Sequence, residues 1–86
     1  MKLVDIMENV VIQGIITLVV FGEDGEEKER YTFEEVNALG EYNVYKVGDT
    51  KLRLHISVYA YMEVAYIYAA GDGALTIELV DNEENE

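Results

Sequence analysis

The chain has 86 residues, which is enough for one domain over residues 1–86, and half of them are hydrophobic, which excludes a disordered acidic tail. It contains no cysteine, which excludes disulfides, thiolate metal sites and thiol catalysis and predicts a reducing compartment such as the cytoplasm. The formal net charge is −12, from 18 acidic and 6 basic residues, which excludes direct binding to a nucleic-acid backbone as the main activity.

The first predicted elements are a short helix and a long strand. Leu3, Ile6 and Met7 have helical spacing, which predicts a helix within residues 2–9. Residues 10–21 are mostly β-branched and aliphatic, which predicts a strand with one core face and a second face that is at least partly covered. The run contains polar residues and is too short to span a bilayer, so we expect neither a signal peptide nor a membrane partner.

Asp24-Gly25 predicts the first hairpin, because this dipeptide tolerates the positive φ angles of a two-residue type I′ turn. Such a turn predicts three cross-strand pairs: Phe21 with Lys28, Val19 with Arg30, and Leu18 with Tyr31. In this register Leu18 and Tyr31 share the core face, and the two cations lie on the other face.

Residues 32–40 have two interpretations. Thr32 and Glu35 match a helix capping box, and Gly40 could end a short helix over residues 33–39. Alternatively, the second strand of the hairpin continues through Phe33. The capping pattern slightly favours the helix.

Two more hairpins are predicted farther along the chain. One joins residues 42–47 to residues 51–58 around Gly48-Asp49, and residues 51–58 alternate strictly between polar and apolar. The other turns at residues 71–73 and leads into an alternating strand from Leu75. An unbroken strand over 51–70 would be unusually long, so a bend is expected at residues 60–63, with a helix as the alternative for residues 58–69.

These elements predict a mainly β fold, with α+β as the variant. Consecutive antiparallel hairpins would form a meander or a small open barrel with one or two short helices. Residues 81–86 are expected to form a frayed acidic tail.

Catalytic patterns are weak, so we expect no enzyme activity, no cofactor and no metal site. His55 and Ser57 lie two residues apart on one predicted strand, too far apart for a nucleophile and its base. Glu63 stands alone in an apolar, tyrosine-rich stretch; it is either a buried carboxylate with a raised pKa or, more simply, an exposed residue at a bend. The acidic residues 22–27 lack the ligand spacing of a calcium loop.

The charge is unevenly distributed along the chain. Residues 23–35 carry a net charge of −5 and residues 71–86 a net charge of −6, whereas residues 44–70 carry +1 and hold five of the seven tyrosines. One interpretation is that the acids only keep a β protein soluble. The other is that they imitate a nucleic-acid backbone and bind a basic protein surface, with tyrosines as rigid anchors.

The sequence therefore predicts a small acidic protein-binding module. This module would bind the basic surface of a nucleic-acid-binding enzyme and thereby inhibit that enzyme. The candidate contact residues are Glu23, Asp24, Glu26, Glu27, Glu34, Glu35, Tyr59, Tyr61, Tyr66 and Tyr68. In composition, though not in any motif, the chain resembles the small acidic inhibitors that phages and mobile elements direct against restriction, CRISPR or DNA-repair enzymes. The alternative is an assembly subunit that self-associates, for example as a homodimer, through strand edges and the apolar strand 10–21.

Overall fold

A single mixed β-sheet forms the frame of the protein, as described by a computed structural model for residues 1–36 and 44–81. Its six strands are ordered β4-β3-β2-β1-β6-β5. The elements in chain order are α1 (Leu3–Met7), β1 (Ile15–Phe21), β2 (Glu27–Glu35), β3 (Val44–Val47), β4 (Thr50–Arg53), a 3₁₀ helix (Leu54–Ile56), β5 (Glu63–Ala69) and β6 (Leu75–Val80). The prediction of a mainly β fold is confirmed.

The sheet differs from a meander in one pairing. All neighbouring strands are antiparallel except β1 and β6, which run parallel, with Leu18 opposite Ile77 and Val20 opposite Leu79. These four side chains are fully buried. Because β1 has a hydrogen-bonded neighbour on each side, it offers no edge for the self-association considered from the sequence.

The core lies on one face of the sheet, under α1 and residues 54–62. Leu3 and Met7 of α1 and Leu54 of the 3₁₀ helix are fully buried there. Residues 54–62 lead from β4 at one edge of the sheet to β5 at the other, so this connection crosses the core face. The predicted strand 51–58 is therefore wrong beyond Arg53, because Leu54 turns into the crossing to reach the core.

Residues 33–35 belong to β2, so the predicted helix over residues 33–39 is wrong where the structure describes it; residues 37–40 lie outside the described residues. Phe33 is buried in the core opposite Ile16, and Glu34 is paired with both Ile15 and Lys46. Strand pairing on both sides and burial of an aromatic ring outweigh the local capping pattern.

The first hairpin has a three-residue loop instead of the predicted two-residue turn. The Gly22 N–H donates to Glu26 O and the Gly25 N–H to Gly22 O, with Gly25 at φ +84°. The predicted pairs of Val19 with Arg30 and Leu18 with Tyr31 are confirmed. Phe21 instead pairs with Glu27, because a bulge shifts the register at this end of β2.

The other two hairpins turn where the sequence predicts them. Val47 pairs with Thr50 across the two-residue loop at Gly48-Asp49. The loop at residues 71–73 repeats the hydrogen bonds of the first hairpin, and Gly73 has φ +89°. In both three-residue loops an aspartate accepts a backbone N–H two residues later: Asp24 from Glu26 at 3.0 Å and Asp72 from Ala74 at 2.9 Å.

A buried tyrosine holds the segment that precedes β1. The Tyr45 hydroxyl donates to Ile12 O at 3.0 Å and accepts the Ile12 N–H at 3.1 Å. Tyr45 itself is fully buried. The predicted strand 10–21 therefore begins only at Ile15, and the backbone at Ile12 is bound by a side chain and not by a neighbouring strand.

We expect Tyr45→Phe to lower the free energy of unfolding by about 1–3 kcal/mol, because Ile12 N–H and C=O both lose their partner in a partly buried place. Urea denaturation measures this change. Tyr66→Phe is the matched control and should stay within about 0.5 kcal/mol of wild type, since Tyr66 is exposed. Equal effects of the two substitutions would contradict a structural role for the Tyr45 hydroxyl.

Tyr45 also predicts a loss of stability at alkaline pH. Burial raises the pKa of its phenol above the ordinary 10.0; the hydrogen bond with Ile12 opposes this shift, and the charge of Glu35 adds to it. The unfolded chain then loses this proton first, so the stabilising contribution is complete below about pH 10 and is lost as the pH rises through the folded-state pKa. The urea midpoint of wild type should fall more between about pH 9 and pH 11 than that of Tyr45→Phe.

Candidate protein-binding site

The parallel pairing of β1 with β6 brings Asp81, from the second acidic segment, beside the loop of the first. The β1–β2 loop follows the end of β1, and Asp81 follows the end of β6, at the same end of the sheet. The Asp81 N–H donates to Phe21 O at 2.8 Å, and its carboxylate binds Lys28 Nζ at 3.2 Å. We call this place the acidic end; it comprises Glu23, Asp24, Glu26, Glu27 and Asp81 with Lys28 and Arg30.

Two ion pairs leave three uncompensated carboxylates at the acidic end. Its five carboxylates and two cations give a net charge of −3. Arg30 binds Glu27 at 2.8 Å, and Lys28 binds Asp81. The net charge therefore rests on Glu23, Asp24 and Glu26, which are all exposed.

The shape of the acidic end comes from the loop and the bulge beside it. Glu23, Asp24, Glu26, Glu27 and Lys28 line a shallow, open depression of about 380 Å³ together with Gly22. The carboxylates thus surround a wide opening. Such an arrangement suits contact with a protein surface better than enclosure of a small molecule.

The ion pair between Glu27 and Arg30 shifts the pKa of both side chains. The hydrogen bond from Arg30 is the main cause of a lowered pKa of the Glu27 carboxyl; desolvation opposes this shift, and the charge of Arg30 adds to it. The same contact raises the pKa of Arg30. The Glu27 carboxylate is therefore occupied by Arg30 of the same chain. It is less available to a partner than the carboxylates of Glu23 and Glu26.

Glu34 and Glu35 lie away from the acidic end, near the other end of β2. Glu34 follows Glu27 by seven positions, which corresponds to about 24 Å along a strand. Glu34 is also paired across the sheet with Lys46 of β3. The structure thus divides the six acidic residues predicted from the sequence into a group of four and a distant pair.

The four candidate tyrosines also divide. Tyr59 is buried in the core, where its ring lies 6.5 Å from that of Phe33, so it is not exposed for a partner. Tyr61 is 70% exposed, with Lys2 Nζ 5.9 Å from the centre of its ring. Tyr66 and Tyr68 are exposed on β5.

Tyr61 lies near the acidic end, whereas Tyr66 and Tyr68 lie farther along the edge strand. Glu63 is opposite Val80 at the end of β6, and Tyr61 precedes Glu63 by two residues. Tyr68 is opposite Thr76, near the start of β6. Of the three exposed candidate tyrosines, Tyr61 is therefore the one at the same end of the sheet as the loop carboxylates.

The residues considered for catalysis have structural contacts. Ser57 lies in a turn after the 3₁₀ helix, where its hydroxyl donates to Leu54 O at 2.9 Å and accepts the Tyr59 N–H, so the predicted shared strand with His55 does not form. Glu63 is partly exposed and binds the Met1 amino group at 3.0 Å. In residues 1–36 and 44–81 no three acidic or histidine side chains gather as a metal site, and no helix is long and apolar enough to cross a membrane.

The apolar run of β1 could have predicted the parallel pairing that forms the acidic end. β1 reads Ile-Ile-Thr-Leu-Val-Val-Phe, a nearly continuous apolar run, and Thr17, Leu18 and Val19 are all buried. A strand buried on both faces belongs in the middle of a sheet and is typical of parallel pairing. With β6 as its parallel partner, Asp81 directly after β6 must lie beside the first hairpin loop.

Comparison with protein-family models, with curated proteins and with solved structures finds no significant match to this chain. The functional argument therefore rests on the residues themselves.

A second polar contact lies on the sheet face away from α1. The Tyr68 hydroxyl donates to Glu78 Oε2 at 2.6 Å. This hydrogen bond is the main cause of a raised pKa of the Tyr68 phenol, and the nearby Arg30 charge opposes it. The contact fixes the Tyr68 ring against β6.

We expect Glu78→Gln to lower the pKa of Tyr68 toward its ordinary value, because the negative charge that holds the phenol proton is removed. A residue-resolved NMR titration of the tyrosine ring carbons measures this shift. Tyr59 is the internal control: burial is the main cause of its raised pKa, so its titration should not change. An unchanged Tyr68 titration would contradict the contact.

Proposed function

We propose that this protein is an acidic binding module that docks its acidic end on the basic surface of a nucleic-acid-binding protein and inhibits that protein by imitating phosphate groups. The observation that carries the proposal is the exposed group of Glu23, Asp24 and Glu26, beside which the contacts of Asp81 with Phe21 and Lys28 place a carboxylate from a distant part of the sequence. An exposed acidic end of this kind is complementary to the basic surface of a partner.

The distribution of the cations supports the proposal. Lys46 and Lys51 are directly opposite each other on β3 and β4, and Arg53 follows on the same face of β4. These strands pair with the part of β2 that is distant from the acidic end. The resulting charge asymmetry would orient the molecule as it approaches a basic partner, with the acidic end first.

Tyr61 supplies the apolar part of the proposed interface. It lies near the acidic end, is largely exposed and contacts Lys2 through its ring face. Aromatic side chains of this kind often dominate binding energy, while surrounding charges direct association. Glu34, Glu35, Tyr59, Tyr66 and Tyr68 have no part in this docking surface.

We expect the double substitution Glu23→Lys/Glu26→Lys to weaken capture of the partner by about ten- to a hundredfold, because both side chains are exposed and carry the net charge of the acidic end. Asp24 and Glu27 are left unchanged, since Asp24 holds the loop and Glu27 binds Arg30. The measurement is affinity capture from nuclease-treated lysate, followed by elution with duplex DNA and mass spectrometry.

Glu8→Lys/Asp49→Lys is the matched control, since it also changes the net charge from −12 to −8 but at exposed positions away from the acidic end. It should capture the same nucleic-acid-binding protein as wild type. Equal loss in both double variants would show that only total charge matters. Capture that duplex DNA does not displace, or that persists at high salt, would contradict imitation of phosphate groups.

A further inference from the structure

β5 is an edge strand whose outer side is only partly covered. The N-terminal residues occupy its first part: the Val64 N–H donates to Met1 O at 2.8 Å, the Leu3 N–H to Met62 O at 3.1 Å, and Lys2 is bridged to Glu63. Beyond Val64, no strand of the described residues lies on the outer side of residues 65–69. All five of these residues are exposed.

The uncovered edge presents backbone groups that are ready for pairing. The Ala70 N–H donates to Ala74 O, so the antiparallel alternation points the backbone groups of Tyr68 and Tyr66 at β6. The N–H and C=O groups of Ile67 and Ala69 consequently point away from the sheet. Residues 65–69 carry no charge, and the chain has no proline, so two of the usual protections of an exposed edge are missing here. The register of β5 against β6 is irregular only at the start of this segment, between Val64 and Tyr66.

The sequence of the uncovered edge is a palindrome, Ala-Tyr-Ile-Tyr-Ala. An interface with two-fold symmetry has to be complementary to itself, and antiparallel pairing about Ile67 meets this condition at every position. It places Ile67 opposite its own copy, Tyr66 opposite Tyr68, and Ala65 opposite Ala69. We propose that a second copy of this chain binds here, so that two β5 strands join antiparallel about Ile67 into one continuous sheet.

Backbone hydrogen bonding and side-chain packing both favour antiparallel pairing about Ile67. Because the backbone groups of Ile67 point outward, the central pair can exchange both hydrogen bonds. Tyr66 and Tyr68 share one face of β5, so each copy sets its two tyrosines against those of the other. These rings are 67% and 45% exposed in the single chain and would cover each other in the pair.

The charges also favour a second copy in antiparallel orientation. Antiparallel pairing directs the acidic ends of the two copies in opposite directions, whereas parallel pairing would place them side by side. The N-terminal residues already occupy the outer side of Val64, so the paired segment is limited to residues 65–69 of each copy.

The absence of cysteine permits a direct test of the register by cross-linking. In Ile67→Cys the two thiols would lie across the two-fold axis, with Cα atoms about 5.5 Å apart, which suits a disulfide. In the matched control Ala69→Cys they would be about 14 Å apart, because residue 69 is opposite residue 65. Mild oxidation should yield a covalent dimer for Ile67→Cys and little or none for Ala69→Cys; equal cross-linking would overturn the register.

Charged variants at the two-fold axis test the pair without a covalent bond. Ile67→Lys and Ile67→Glu should each weaken dimerisation of the protein at least about tenfold in sedimentation equilibrium, because like charges meet at the axis. An equimolar mixture of the two should dimerise again. Ile56→Lys is the control, since Ile56 is exposed outside the edge, and it should dimerise like wild type.

Three results would overturn the proposal. The first is a wild-type protein that remains monomeric up to about 1 mM, the range of very weak association. The second is a dimer that Ile67→Lys and Ile67→Glu leave intact. The third is a monomer whose β5 edge binds a strand of another protein, shown by capture that Ile67→Lys abolishes and Ile56→Lys retains.

Discussion

The fold depends on the parallel pairing of β1 with β6. This pairing joins strands from the two ends of the described chain and buries Leu18, Val20, Ile77 and Leu79 side by side. Parallel strands cannot be joined by a tight turn, so the chain between them must leave β1 on one side of the sheet and return on the other. Residues 54–62 make that return across one face, and in doing so they cover the core.

Those parts of the fold that depend on neighbouring residues could be predicted from the sequence. The three tight hairpin turns of the described residues contain a Gly-Asp or Asp-Gly pair, because glycine tolerates positive φ. In the loops of Asp24 and Asp72 the aspartate also accepts a backbone N–H of the turn. The predictions of secondary structure were wrong where contacts between distant parts of the chain determine the backbone conformation. Phe33 stays in a strand because Ile16 and the core hold it there, and Leu54 leaves the strand for the same core.

The candidate site shows the same division. The sequence indicated which residues are acidic and that the first loop exposes them, but only long-range pairing placed Asp81 beside Lys28 and left Glu34 at the far end of β2. The exposure of the tyrosines was harder to predict from the sequence than that of the acidic residues. Tyr59 is buried and Tyr61 is exposed, although only one residue separates them. Their environments are set by which side of the crossing segment faces the sheet, and alternation in a presumed strand could not reveal this.

The two edges of the sheet are unequal, and this inequality limits how copies of the chain can associate. β4 is only four residues long and bears Lys51 and Arg53, whereas the open part of β5 is uncharged. Short length and lysine are common protections of a strand edge. A β4-to-β5 contact would repeat without closing and would build a fibre, whereas β5-to-β5 pairing closes at two copies. In the proposed pair, β4 of each copy forms an outer edge of the joined sheet, and its cations protect that edge against further strand pairing. The two acidic ends point away from each other.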